Sequence, residues 1–371
     1  MSVSDWKPIM RAASALSMDR FAMCWGELEY DDPFTAIISY DGRSAQPWSR
    51  VDVRREIVDV GYGNFDGKAD PIPVALSNEG DVYTLVDDRA EWSKIPGAGV
   101  LSNDSKGLGA VHTLLLDGST QYVLGDGRQL YQRQIPGAWH CVSADAAKPP
   151  GYGRENFGKA IRLPSGDLLI ESIQRPYSSR DPAQFDPSFW AKMSVEEVTQ
   201  MMLSQQKKLA GGQPVQRLYT YVRGQFNKIE LPEDIRIQDM YIDPQHRVWL
   251  LGFGGLILRG NPQSGFERLG FHGDTEALFS AAWFHDELIL ATDDGLRRFD
   301  GHKLKSLKPV LDNAFVNRNV PVPLRVQAIG DRIIYFDAKH GVAHWDGDSW
   351  TWIQIPKELL KRDFQGLIPL P

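Results

Sequence analysis

Few side chains in this chain of 371 residues have the types and spacing that chemistry needs. Of eight histidines, only His340 and His344 stand four apart, and they fall in a turn and a strand rather than on the shared helix face of an HExxH zinc site. Cys24 and Cys141 form no CxxC pair and read as free thiols inside strands. Asp31-Asp32 and Asp293-Asp294 lack the dense carboxylate alternation of a calcium loop. Gly-x-Ser-x-Gly, the nucleophile elbow, is absent. The residues therefore call for no metal or cofactor.

Two glycine clusters resemble each other, GYGNFDGK (Gly61–Lys68) and GYGRENFGK (Gly151–Lys159). Neither has phosphate-loop spacing or leads into a long helix. Their expected role is to let backbone approach backbone closely near inner strands. The functional alternative is a pair of channel-mouth loops in which Tyr62, Asn64, Tyr152 and Arg154 touch a ligand. An enzyme of this architecture would draw on polar inner-strand residues, here Asp59, His112, Arg162 and Arg325.

The elements that position these residues announce themselves by repetition. A bulky residue is followed three positions later by an aliphatic one at Trp48/Val51, Trp92/Ile95, Trp139/Val142, Phe226/Ile229, Phe266/Leu269, Leu304/Leu307 and Trp350/Ile353. A short strand precedes each pair. Aromatic-Asp-Gly recurs at Tyr40–Gly42, Phe299–Gly301 and Trp345–Gly347, where Asp-Gly reads as a hairpin turn. Spacings of roughly 40–50 residues suit four-stranded blades. The sequence thus predicts an all-β protein, a single seven-bladed β-propeller over 1–371. In blade five, RVWLLGFGGLILRG resembles the repeat of bacterial two-component-regulator propellers, a Trp-containing strand followed by a Gly-rich turn and a Gly-Leu strand. That resemblance implies the fold and leaves function open.

One step between repeats is about twice the others, which places an insertion at 174–216, between the second and third strands of blade four. Ser194-Val195-Glu196-Glu197 has the form of a capping box, helical propensity runs to Ala210, and Gly211-Gly212 ends it. The insertion is expected to be helical and to open on the upper face of the ring. Its apolar stripe packs it onto the propeller in one reading; in the other, Phe189, Trp190, Met201 and Met202 meet a partner. Read by the repeat, blade one lacks an innermost strand, and FQGLIPLP at the C-terminus resembles FGKAIRLP of blade four. A C-terminal strand over 363–369 is accordingly expected to close the ring.

Net charge is -7, which disfavours nonspecific nucleic-acid binding. Acidic residues gather in the predicted upper loops: Glu27, Glu29, Asp31, Asp32, Asp126, Asp293, Asp294 and Asp337. A negative rim would steer a basic partner. The N-terminus lacks the apolar core of a secretion signal, no segment is long and apolar enough to span a bilayer, and a cytoplasmic monomer is expected. The favoured reading is a non-catalytic protein-binding propeller, in its sharpest form an immunity protein that caps a toxin. The alternatives are a hydrolase or lyase at the channel mouth, and a carbohydrate or small-ligand binder with Trp and Tyr platforms.

Overall fold

A computed structural model describes residues 8–27, 33–64, 70–86, 89–147, 155–174, 194, 214–231, 235–269, 276–293, 295–307 and 322–362. These residues form seven antiparallel sheets of four strands each. Blade one is β1 (Ile9–Ser17), β2 (Arg20–Gly26), β3 (Thr35–Asp41) and β4 (Trp48–Val53). Blade two is β5 (Ile57–Gly63), β6 (Ile72–Ser77), β7 (Asp81–Val86) and β8 (Arg89–Lys94). Blade three is β9 (Val111–Asp117), β10 (Thr120–Gly125), β11 (Gln129–Gln134) and β12 (His140–Cys141). Blade four is β13 (Glu155–Arg162), β14 (Leu168–Gln174), β15 (Val215–Val222) and β16 (Gln225–Ile229). Blade five is β17 (Ile237–Ile242), β18 (Val248–Gly252), β19 (Ile257–Asn261) and β20 (Gly265–Arg268). Blade six is β21 (Leu278–Phe284), β22 (Glu287–Thr292), β23 (Gly295–Phe299) and β24 (Leu304–Ser306). Blade seven is β25 (Pro323–Ile329), β26 (Arg332–Asp337), β27 (Gly341–Trp345) and β28 (Trp350–Ile353).

Within each blade the strands run a, b, c, d from the axis outward, and the seven a strands contact one another in sequence around that axis. All a strands therefore run the same way. The b-to-c and d-to-a connections open on one face, called upper, and the a-to-b and c-to-d hairpins open on the other.

The repeat has a simple physical cause. Successive side chains of a strand point to opposite faces, so an offset of three puts the two members of each pair on opposite sides of strand d. In all pairs but the blade-two pair, whose Trp92 is exposed, the first packs toward the preceding blade and the second toward the following one. Trp139 lies in the cluster between blades two and three, and Val142 packs between three and four. Phe266 and Leu269 divide likewise between the clusters on either side of blade five, and Leu304 and Leu307 between those flanking blade six. The pair thus stitches three blades. The apolar core is correspondingly split into interblade clusters, among them one joining blades one and seven through Met10, Phe21, Trp25, Ile334, Phe336 and Val342.

That cluster corrects the expected closure. The innermost place of blade one is held by β1, from the N-terminal end of the chain, paired to β2 from Ile9 to Ser17. No place remains for a strand from 363–369, residues that themselves lie outside those described. β1 was missed because MRAASALS carries little β-branched bulk; its small residues suit a crowded axis. Blades one and seven meet through hydrogen bonds as well: Met10 N–H to Ala338 O (2.7 Å), Ala15 N–H to Gln327 Oε1 (2.8 Å) and Arg325 Nη1 to Ala13 O (3.0 Å).

The insertion is bounded by Gln174 and Val215, joining β14 to β15 as the sequence placed it. Its interior, with the expected helix, lies outside the described residues apart from Ser194 and Pro214. Among the described residues there is no α-helix, and no helix is long and apolar enough to cross a membrane.

The first glycine cluster does what close packing asks of it. A Cβ on Gly61 would stand 2.9 Å from Leu116 Cδ1 of blade three, and one on Gly63 would stand 3.3 Å from it. Glycine there lets β5 and β9 approach.

Candidate functional site

The upper face is distinguished by what it exposes. Val100, Leu101, Val215, Phe253 and Val322 are large apolar residues left in solvent, and all five lie on or beside b-to-c or d-to-a connections. Leu101 is 75% exposed. Among the described residues, only Trp92, on the outer strand β8, is exposed in this way elsewhere.

Val100 and Leu101 are held out rather than left loose. The buried carboxylate of Glu79 accepts both of their amides on Oε2, each at 2.8 Å. Ser105 Oγ donates to Gly99 O (2.6 Å), and Gly97 N–H donates to Asp104 Oδ2 (2.9 Å). Gly99 adopts a φ of +85°, and a Cβ there would overlap the Glu79 carboxylate. A loop fixed by a buried acid thus presents two aliphatic side chains to water.

The acidic rim fares differently. Asp337 is fully buried and cannot meet a partner; its Oδ2 accepts Val322 N–H (3.0 Å) and Tyr335 OH (3.0 Å), and its Oδ1 accepts His340 Nδ1 (2.7 Å). Asp293 is exposed, yet its Oδ1 accepts Ala277 N–H (3.3 Å). Asp126 pairs with His112 Nε2 at 2.9 Å while its N–H reaches Ala110 O. In each case an acid at the b-to-c turn ties down the segment entering strand a of the same blade. Glu27 is paired with Arg362. Among the described residues, the acids of that cluster thus serve to anchor loops. Asp31, Asp32, Asp294, Phe189, Trp190, Met201 and Met202 lie outside the described residues, as do Tyr152 and Arg154.

The remaining channel residues divide between the two ends. His112 and Arg325 stand near the upper end of their strands. Tyr62 and Arg162 stand at the lower end, with Asn64 just beyond. Arg162 is ion-paired with Asp117, and the Tyr62 ring lies 6.0 Å from the Arg20 guanidinium carbon. They do not form one constellation.

Sequence reading missed the feature that organises the axis. Each a strand is interrupted near its start by a register shift, between Met10/Ala12, Ile57/Asp59, Val111/Thr113, Phe157/Ala160, Ile237/Asp239, Leu278/Ser280 and Pro323/Arg325. Such a bulge bends the strand and re-aims the next side chain. The signal was present as apolar-x-polar-apolar: IVDV, VHTL, FGKA, IQDM, LFSA and PLRV. Several of the polar side chains reach the next blade's backbone. Asp59 Oδ2 accepts Leu114 N–H (2.9 Å), Thr113 Oγ1 donates to Gly158 O (2.7 Å), Asp239 accepts Ala281 N–H, and Ser280 Oγ accepts Val326 N–H (3.2 Å).

Burial raises the carboxyls of Asp59 and Asp239 above the usual carboxylate range, and the charges of Arg325 and Lys159 temper the rise. Glu171 on β14 faces the bulge of β13, where a Cβ on Gly158 would overlap its carboxylate. Burial pushes Glu171 from the ordinary 4.5 up to about 7, against the Lys159 amide (3.3 Å) and Gln216 Nε2 (3.1 Å) that donate to it. Gln216 also bridges to both backbone groups of Ile237, so Glu171 sits in a clamp between blades four and five, at the root of the insertion.

No family model matches the chain and no curated protein is similar to it in sequence. Its fold is shared with solved structures of low identity. YCF48 bound to D1 peptide superposes with a TM-score of 0.57 at 13% identity, over 93% of this chain and 95% of that one. The WD40 β-propeller domain of Doa1 gives 0.54 at 9% identity, over 91% and 92%. The extracellular domain of a hybrid two component system from B. thetaiotaomicron gives 0.50 at 13% identity, over 92% of this chain and 38% of that one. At these identities the likeness shows the propeller fold alone.

Proposed function

We propose that this chain is a non-catalytic protein-binding propeller that takes its partner on the upper face. The observation that carries the reading is the one-sided exposure of Val100, Leu101, Val215, Phe253 and Val322, with the Glu79 clamp holding two of them in place. Apolar side chains displayed on a rigid frame bury their surface without a large ordering cost on association. Compatible with it is the fold shared with YCF48, solved with a bound D1 peptide. Within this reading, a cytoplasmic immunity protein that caps a basic toxin is the sharper form. It rests on Asp293 together with Asp31, Asp32 and Asp294, while apolar contact, not charge, supplies the affinity. Because the described rim acids Glu27, Asp126, Asp293 and Asp337 are engaged by the fold, raising salt weakens capture only mildly.

The test is capture from a lysate of the source organism by wild type and by the double variant Leu101→Asp/Phe253→Asp. A stoichiometric protein held by the first and lost by the second supports the reading. A partner held equally by both overturns it. No observation favours the enzymatic alternative, whose candidates His112, Arg162 and Arg325 are spread over both ends of the strands.

A further inference from the structure

At every joint of the ring but one, the chain itself runs from blade to blade. The exception is the seam between blades seven and one, where the first and last strands of the order meet. On the axis side this seam is zipped by β1, whose Met10 and Ala15 amides donate across it to Ala338 O (2.7 Å) and Gln327 Oε1 (2.8 Å). Farther out it is spanned by a segment that belongs to no sheet. After β28 the chain leaves blade seven over 354–362 and makes one turn of 3-10 helix, Lys357–Leu360. Ile355 sits over Gly341 of blade seven, where a Cβ would stand 3.1 Å from its Cδ1. Ile355, Leu359 and Leu360 pack against the apolar cluster of the seam.

The segment is fastened to blade one at two points. The first is Arg50 on β4, which by strand alternation shares the seam side with Trp48 and Asp52. The buried Asp52 carboxylate grips the Arg50 guanidinium as a fork, accepting Nε at 2.6 Å and Nη2 at 2.9 Å. Held in that orientation, Arg50 Nη1 donates to Leu359 O (3.0 Å) and Lys361 O (2.6 Å) at the end of the helical turn. The second point is Arg362, whose Nη1 donates to Glu27 Oε2 (3.2 Å) and whose guanidinium carbon lies 5.4 Å from the centre of the Phe34 ring. Glu27 is itself fixed, since its main-chain oxygen accepts Arg11 Nη2. Both arginine side chains are largely shielded from water, so these contacts hold more firmly than surface ion pairs. Blades parted at the seam stretch no connection, whereas blades parted at any other joint pull on the chain that links them. Local opening follows the least constrained boundary. We propose that residues 354–362 are a latch. With Arg50 and Arg362 engaged the ring is shut, and on their release the seam opens as a local unit while the chain-linked joints stay closed. The latch requires no partner on the upper face.

The experiment is residue-resolved amide hydrogen exchange of the full chain, wild type against Arg50→Lys, Arg362→Gln and the double variant. Arg50→Lys keeps a positive charge beside Asp52 but loses the fork that reaches two carbonyls. The Met10 and Ala15 amides report on the seam. The Leu114 and Val326 amides donate across the joints between blades two and three and between blades six and seven, so they report on chain-linked joints. In the double variant Met10 and Ala15 should exchange about tenfold faster or more, as the loss of a charge-assisted hydrogen bond implies, with Leu114 and Val326 unchanged. Each single variant should show the same pattern to a smaller extent, which decides the matter should the double variant fail to fold. Equal acceleration of all four amides would overturn the proposal, because the segment would then serve general stability. Unchanged exchange at Met10 and Ala15 would also overturn it, because β1 and the apolar cluster would then hold the seam without the latch.

Discussion

Replacing Glu171 by glutamine should reverse sign in its effect on stability between acid and alkaline pH. The side chain is 5% exposed, so solvent screening takes little from the argument. Its folded value of about 7 lies above the ordinary 4.5. A carboxyl raised in this way stabilises the fold only while protonated. Its contribution is complete below the unfolded value and is lost as pH rises from about 4.5 through about 7. At about 1.4 kcal/mol per pKa unit, that interval corresponds to about 3 kcal/mol. Glutamine never ionises, so it escapes this loss. It has one oxygen where glutamate has two, and the Lys159 amide and Gln216 Nε2 each donate to a different one. One hydrogen bond therefore goes, at about 1 kcal/mol. Near pH 3.5 the variant is expected to be about 1 kcal/mol less stable than wild type, near pH 5 about equal, and near pH 8 about 2 kcal/mol more stable. Urea denaturation at the acid and alkaline ends reads the crossing directly. Asp59 and Asp239, also raised by burial, contribute slope of the same sign in both proteins and cancel in the difference. A variant whose stability difference from wild type is the same at both pH values would refute the reasoning, because Glu171 would then titrate alike in the folded and unfolded chain.

Other outcomes follow from the same geometry. Gly61→Ala is expected to cost about 1–2 kcal/mol by crowding Leu116, and a double-mutant cycle with Leu116→Ala should recover much of it. Truncation through Ser17 removes β1 and the hydrogen bonds that Met10, Ala13 and Ala15 make to blade seven, so it should abolish cooperative unfolding followed by circular dichroism. Burial, and to a lesser degree the charge of Asp59, pushes the Cys24 thiol up, so a thiol reagent at neutral pH should modify half-buried Cys141 first and reach Cys24 only on unfolding.

The outer strands were the legible part of this fold. A Trp or Phe three residues before an aliphatic side chain is a loud signal, and it works because an odd spacing serves two interblade clusters at once. The inner strands were quiet for an equally physical reason. Crowding at the axis favours Ala, Gly and Ser, so β1 carried no bulky marker and the closure was assigned to the wrong terminus. The polar residue after each bulge was visible as Asp59, Thr113, Asp239, Ser280 and Arg325, but its regularity emerges only once the strands are in register. The acids of the upper loops were read as a charged rim because sequence gives composition, not partners. Asp337 is spent on Val322, Tyr335 and His340, which no charge count reveals. Exposure of Leu101 was likewise hidden, since it depends on Glu79, 22 residues away.

The central claim is that a partner docks on the upper face, and amide hydrogen exchange of the chain with and without the captured partner tests it most directly. Protection confined to 95–110, 253–256 and 276–277, with the lower hairpins at 118–119, 223–224 and 330–331 unchanged, is the predicted result. Protection of the lower hairpins with the upper loops exchanging as in the free chain would contradict it.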